Sequence, residues 1–249
     1  GPHRCLGPEA EMSSAALIAV FIALPMLAGV WLQRREADSD LVKLLLAFSG
    51  AFLLSVTVVH MLPELYGRSG DTAGPWVLAG FMLQVVLEFF SRGIEHGHVH
   101  VQKGHSHTLP FMTLLSLCLH SFAEGLPFAD VSVRGNLPFV AGVLMHKAPM
   151  AIALATVLRR SDVPAMRYWS MIGIFALALP LGILIGRAGG ERLGGEFLHA
   201  ALAVAIGMLL HISTTIIFES TPDHRFNAKR FLTVLAGAAL AFLSMHGAH

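Results

Sequence analysis

Apolar residues run along this chain in eight long stretches separated by polar breaks. They are Ala15–Leu32, Leu41–Leu62, Trp76–Phe90, Leu109–Ala129, Leu137–Leu158, Trp169–Gly186, Phe197–Phe218 and Asn227–Met245. A helix needs roughly 20 apolar residues to cross a hydrocarbon core of about 30 Å, so each stretch predicts one crossing. The expected fold is an all-α integral membrane protein with eight transmembrane helices. All connections are short except the one between the third and fourth spans, which leaves no room for a soluble domain in the loops.

Basic residues divide unevenly between the two sets of loops. The odd-numbered loops hold Arg34, Arg35, Arg92, Lys103, Arg159, Arg160, Arg167, Arg225, Lys229 and Arg230, whereas the even-numbered ones hold only Arg68, Arg134, Arg187 and Arg192. Lys and Arg favour the cytoplasmic side. The asymmetry therefore puts the odd loops in the cytoplasm and both termini outside it, with a plasma (inner) membrane as the expected location. The first span carries its positive charge after rather than before it, which argues against a cleaved signal peptide. Residues 1–11 open with Gly-Pro, as a protease scar would, and read as an expression remnant or a disordered lead. Residues 12–249 then form a single transmembrane domain, with Met12 as its start.

Composition agrees with the pattern. The chain is 55% hydrophobic and 13% charged with a mean hydropathy of +0.66, where a soluble domain would carry about a quarter charged residues. No basic patch interleaved with aromatics appears, so no nucleic-acid partner is expected. Cys5 and Cys118 are too few for a disulfide framework, and Cys118 reads as a small buried residue.

A weak internal echo links "GAFLLSVTVVHMLPE" in the second span to "GMLLHISTTIIFES" in the seventh. It suggests an inverted repeat, with spans one to three and six to eight flanking spans four and five, as in many transporters. Small-residue runs such as "AGAALA" in the eighth span read as close helix packing and as a face for a homodimer.

The oily runs are interrupted at two matched places. His120 and Glu124 stand four residues apart in the fourth span and so share a helix face, while His146 and Lys147 interrupt the fifth. An ionisable group at a span centre costs about 2.5–3.5 kcal/mol on insertion. His120, Glu124 and His146 form a three-ligand set of a kind suited to zinc and its divalent neighbours. Pro127 and Pro149 each remove a helical hydrogen bond and are expected to kink these spans, freeing carbonyls that persist in a bilayer only against protein or water. The bland alternative is that the three polar residues merely hydrogen-bond to one another between packed helices.

Several motifs together resemble the ZIP (Zrt-, Irt-like protein) family of divalent metal transporters. "HSFAEG" is similar to the family's fourth-span motif, "HKAPMA" to the fifth-span motif of members with His-Lys there, and "HMLPE" to the end of the second span. "LEFFSRGIEHGHVHVQKGHSH" resembles the end of the third span and its histidine-rich loop. The likeness runs from Ser13 to Met245. It implies alternating-access uptake of divalent metal into the cytoplasm, chiefly zinc, with cadmium, iron(II) and manganese(II) as further cargo. It also implies a transport site at His120, Glu124 and His146, and no catalytic cofactor. Relative to two-metal members, Met150 stands where a fifth-span Glu completes the first site, and Ser121 and Lys147 stand where Asn and Asp hold a second ion. The seventh span offers His211, Ser213, Thr214 and Thr215 in place of an acidic ligand. The resemblance thus implies one ion, with Met150 and Ser121 as auxiliary donors and Lys147 as a modulating charge.

Other residues make weaker claims. His96, His98, His100, His105 and His107 lie in the loop 92–108, where a His-rich tract can bind metal without a fold or be only a solvated linker. His60 and Glu64 sit near the outer end of the second span, where they form an entrance pair or simply end a helix. Glu88 is expected to snorkel or pair with Arg92, and Glu219 and Asp223 to flank the inner mouth. The rival functions are an intramembrane metal-dependent hydrolase and a metal sensor. The chain has neither HExxH nor GxSxG, so no enzymatic activity is expected, and a sensor would not need mid-membrane prolines.

Overall fold

A computed structural model of the chain describes residues 13–34, 38–91, 93, 108–161, 163–219 and 227–246. Among these residues the structure is helical throughout, with α1 (Ser14–Arg34), α2 (Ser39–Val56), α3 (Leu62–Ser69), α4 (Ala73–Ser91), α5 (Thr108–Gly125), α6 (Val131–Gly135), α7 (Leu137–Arg160), α8 (Ala165–Leu193), α9 (Gly195–Glu219) and α10 (Ala228–His246). Seven stretches are long and apolar enough to cross a membrane. One of them, Asp40–Ser91, is 52 residues long. As a single helix it would measure about 78 Å, more than twice a bilayer core, and it is broken at Gly70 (φ 53°) and the 3₁₀ turn Gly70–Thr72. The eight predicted spans are therefore present, and Leu78, Phe89, Leu184 and Leu243 turn outward more than half exposed. Apolar side chains on the outside suit lipid as solvent; this is an integral membrane protein.

Three prolines behave differently from one another. Pro63 follows a π-helical turn, Thr57–Met61, in which the Leu62 N–H reaches back to the Thr57 carbonyl. That widened turn accommodates a ring with no N–H to donate, and the helix runs on to Ser69, past the predicted end at Leu62. Pro127 corrects an expectation: it does not kink a helix continuing to Ala129, because α5 stops at Gly125 and Leu126–Ala129 forms a 3₁₀ turn. Asp130 then caps α6, its carboxylate accepting from the Ser132 N–H. Pro149 lies within α7, which continues to Arg160.

Backbones touch where glycine allows it. A Cβ on Gly80 would lie 2.0 Å from the Val204 carbonyl oxygen, and one on Gly207 2.0 Å from that of Val77, which locks α4 against α9. Gly125, Gly182 and Gly186 do the same for α5 and α8, at 2.2, 2.2 and 2.3 Å from the carbonyls of Leu179, Phe122 and Leu126. Phe128, just beyond α5, packs between Phe21 and Phe139, with ring centroids 5.8 and 5.5 Å away. This aromatic plug anchors the end of the helix that carries His120 and Glu124.

Helices of the first predicted triplet pack on those of the second: α1 on α8, α2 on α9 and α10, and α4 on α9. The two triplets interleave and do not stand apart as halves.

Candidate metal centre

The fourth-span pair lies on one face of α5, as the i, i+4 spacing requires, and points at α7. His120 Nε2 is 3.0 Å from Glu124 Oε1. The His146 ring stands edge-on to that of His120, with centroids 6.1 Å apart. One donor atom from each of His120, Glu124 and His146 lies within 4.8 Å of the others, the one such group of three among the described residues. His120 and His146 are fully buried and Glu124 is 2% exposed.

The neighbouring ammonium is equally deep. Lys147 is fully buried; its Nζ donates to Ser121 Oγ at 2.5 Å and lies 4.3 Å from the centroid of the Phe175 ring. The two residues that follow His120 and His146 in sequence therefore meet beside the three ligands. Met150, one turn beyond His146, is fully buried in the apolar cluster that includes Leu117, Leu154 and Phe175. Cys118, expected to be buried, is only partly so, at the edge of that cluster.

One group near the centre, and one pairing, escaped the sequence reading. Gln84 on α4 is fully buried, and its Oε1 lies 3.0 Å from His120 Nδ1. The available signal was a lone amide inside the otherwise oily "VLAGFMLQVVL". Further along α4, Glu88 contacts His211 of α9, whose ring stands edge-on to Phe81 at 4.8 Å. Arg92, the partner expected for Glu88, lies outside the described residues. The Thr214 and Thr215 hydroxyls donate back to carbonyls of their own helix, and Ser213 is buried.

At the other end of the molecule, His60 is half exposed on the π turn, with Nε2 3.8 Å from Glu64. Glu64 is also held by Arg68 at 2.5 Å, and Arg68 reaches Ser132 at 3.1 Å and Asp130 at 3.8 Å. That network ties the end of α3 to the start of α6. His96, His98, His100, His105, His107 and Asp223 lie outside the described residues, and Glu219 ends α9.

Two imidazoles and a carboxylate in a sealed interior can hold a late first-row divalent ion, whereas harder ions prefer oxygen cages. A tetrahedral ion would take these three donors and one more.

The chain is similar to known proteins. The family described as ZIP Zinc transporter matches residues 95–245. The chain is 34% identical over 160 residues to a protein of Takifugu rubripes named Zinc transporter ZIP1, covering 59% of this chain and 52% of that one. Its counterpart in Danio rerio is 33% identical with the same coverage. A protein of Xenopus laevis named Zinc transporter ZIP9-B is 23% identical over 146 residues, 57% of this chain and 48% of that one. The matched region spans about half the length of these relatives.

Proposed function

The chain belongs to the ZIP zinc transporter family, and from that premise we propose that it carries divalent metal ions, chiefly zinc, across the bilayer into the cytoplasm through one buried site. The observation that supports this most is the convergence of His120, Glu124 and His146 within 4.8 Å at nearly zero exposure. In this reading the ion exchanges its water shell for two imidazoles and a carboxylate. Ser121, Met150 or a retained water completes the set. Lys147 occupies the space a second cation would need, so the centre takes one ion. Its positive charge offsets Glu124 when the centre is empty.

The remaining residues take supporting roles. His60 and Glu64 attract cations at the outer face, and the histidine loop tunes release at the inner one. The chain sits in a plasma membrane with both termini outside, and α10 offers the face for a homodimer. Nothing in the family assignment supports the hydrolase alternative.

The test is uptake into proteoliposomes holding a zinc-sensitive dye, run beside assays for peptide and lipid hydrolysis. Zinc should enter down its gradient without hydrolysis. His120→Ala and Glu124→Ala should each cut the rate to about a tenth or less, since even groups one shell away typically change affinity or activity 10–100-fold. Full uptake in both variants would remove the site assignment.

A further inference from the structure

We propose that Gln84 is a positioning residue that selects the tautomer of His120 and thereby sets how tightly the centre holds its ion. The proposal rests on the reading that His120, Glu124 and His146 form the transport site.

A neutral imidazole carries one N–H and one lone pair, and the partner of one nitrogen decides which role falls to the other. Gln84 Oε1 sits 3.0 Å from Nδ1. A carbonyl oxygen there accepts, so the proton belongs on Nδ1 and the lone pair on Nε2. That lone pair faces Glu124 Oε1 at 3.0 Å. Two acceptors so close repel each other unless a cation lies between them. In this orientation the amide prepares His120 for metal.

Rotating the amide by half a turn reverses the roles. Its Nε2 would donate to Nδ1, the imidazole proton would sit on Nε2, and His120 would hydrogen-bond to Glu124. That arrangement satisfies an empty centre and offers no lone pair to an ion. The rotation changes no volume and breaks no other bond, because Gln84 Nε2 has no hydrogen-bond partner among the described residues. Gln84 is thus held at one end only. A carboxylate in its place could not donate in this way, and an aliphatic side chain could assist neither tautomer. An amide keeps the loaded and empty centres close in free energy, which a carrier needs more than a storage site does.

Gln84→Glu and Gln84→Leu separate these roles. Gln84→Glu supplies the stronger acceptor found behind many zinc-bound histidines. It should lower the KM for zinc uptake about tenfold, by tightening capture. Gln84→Leu should raise KM by about 10–100-fold. The 15N shifts of His120 in the metal-free protein should report Nδ1–H in Gln84→Glu and a different tautomer balance in the unmodified chain. In a His120→Ala background, Gln84→Leu should have no further effect, since Gln84 acts through His120. An unchanged KM and unchanged His120 shifts in Gln84→Glu would overturn the proposal even if Gln84→Leu failed to fold. If His120→Ala alone left KM and kcat unchanged, the transport-site reading would fail instead.

Discussion

Lys147 carries an ammonium at full burial, and its surroundings show how a charge survives there. It donates to Ser121 Oγ and lies over the Phe175 ring, so one acceptor and one π face replace water. Removing the acceptor while keeping the charge leaves a buried donor with its hydrogen bond unmade. Ser121→Ala is therefore expected to lower the melting temperature in detergent, with a loss of about 1–3 kcal/mol. Lys147→Met fills similar volume but removes the charge that offsets buried Glu124, so it too should lower the melting temperature of the metal-free protein. An unchanged melting temperature in Ser121→Ala would show that Ser121 contributes only packing. Under the one-ion proposal, metal counting by anomalous diffraction should find a single ion at the centre of the unmodified protein and a second only in Lys147→Asp. At this scale the centre was largely legible. His120 and Glu124 announce a shared face by their spacing, and Ser121 and Lys147, which meet, each follow one of the two histidines by one position. Gln84 was not legible, because a single amide in an oily run has no periodic partner and the group it touches lies 36 residues away. The Glu88–His211 contact spans 123 residues and was hidden for the same reason.

Helices were legible from their apolar lengths, but their irregularities were not. Pro63, Pro127 and Pro149 present the same local chemistry, yet one follows a π turn, one sits in a 3₁₀ turn and one is carried inside a helix. Hydrophobic periodicity does not encode which of these a proline will be. Glycine repeats the lesson, because membrane spans contain many and only some are pressed against another backbone. Gly207→Val would drive a Cβ to 2.0 Å from the Val77 carbonyl, and a rigid backbone cannot yield as a side-chain tip can. Loss of folded, monodisperse protein is expected. Gly173→Ala in α8, with nothing within 4 Å of the added methyl, should be neutral or stabilising by up to about 1 kcal/mol through helix propensity. Thermal melting of the two variants in detergent checks the contrast, and a tolerated Gly207→Val would mean that α4 and α9 are not locked as described.

Across the whole molecule the eight crossings could be counted from the sequence, whereas their partners could not, since all have similar composition and any two oily faces are compatible in lipid. The structure joins α1, α5, α7 and α8 in one packed group and α2, α4, α9 and α10 in another, and the two are themselves packed together through α2 on α7 and α4 on α5. His120, Glu124 and His146 all stand on the first group and Gln84 on the second. Gln84 thus meets His120 across the contact between α4 and α5. The same arrangement bears on how long an ion stays. Under the one-site proposal, with the three ligands no more than 2% exposed, an ion among them would be sealed from solvent and would leave only when helices separate. Its dwell time then reports how often the protein opens, not the strength of the metal–ligand bonds. Zinc and cadmium, released into excess chelator and followed by stopped flow, should depart at similar rates even where their affinities differ. Rates that instead tracked affinity would mean that the seal leaks. On this view selection among metals happens at capture, and the interval between capture and delivery is a property of the fold common to every ion admitted.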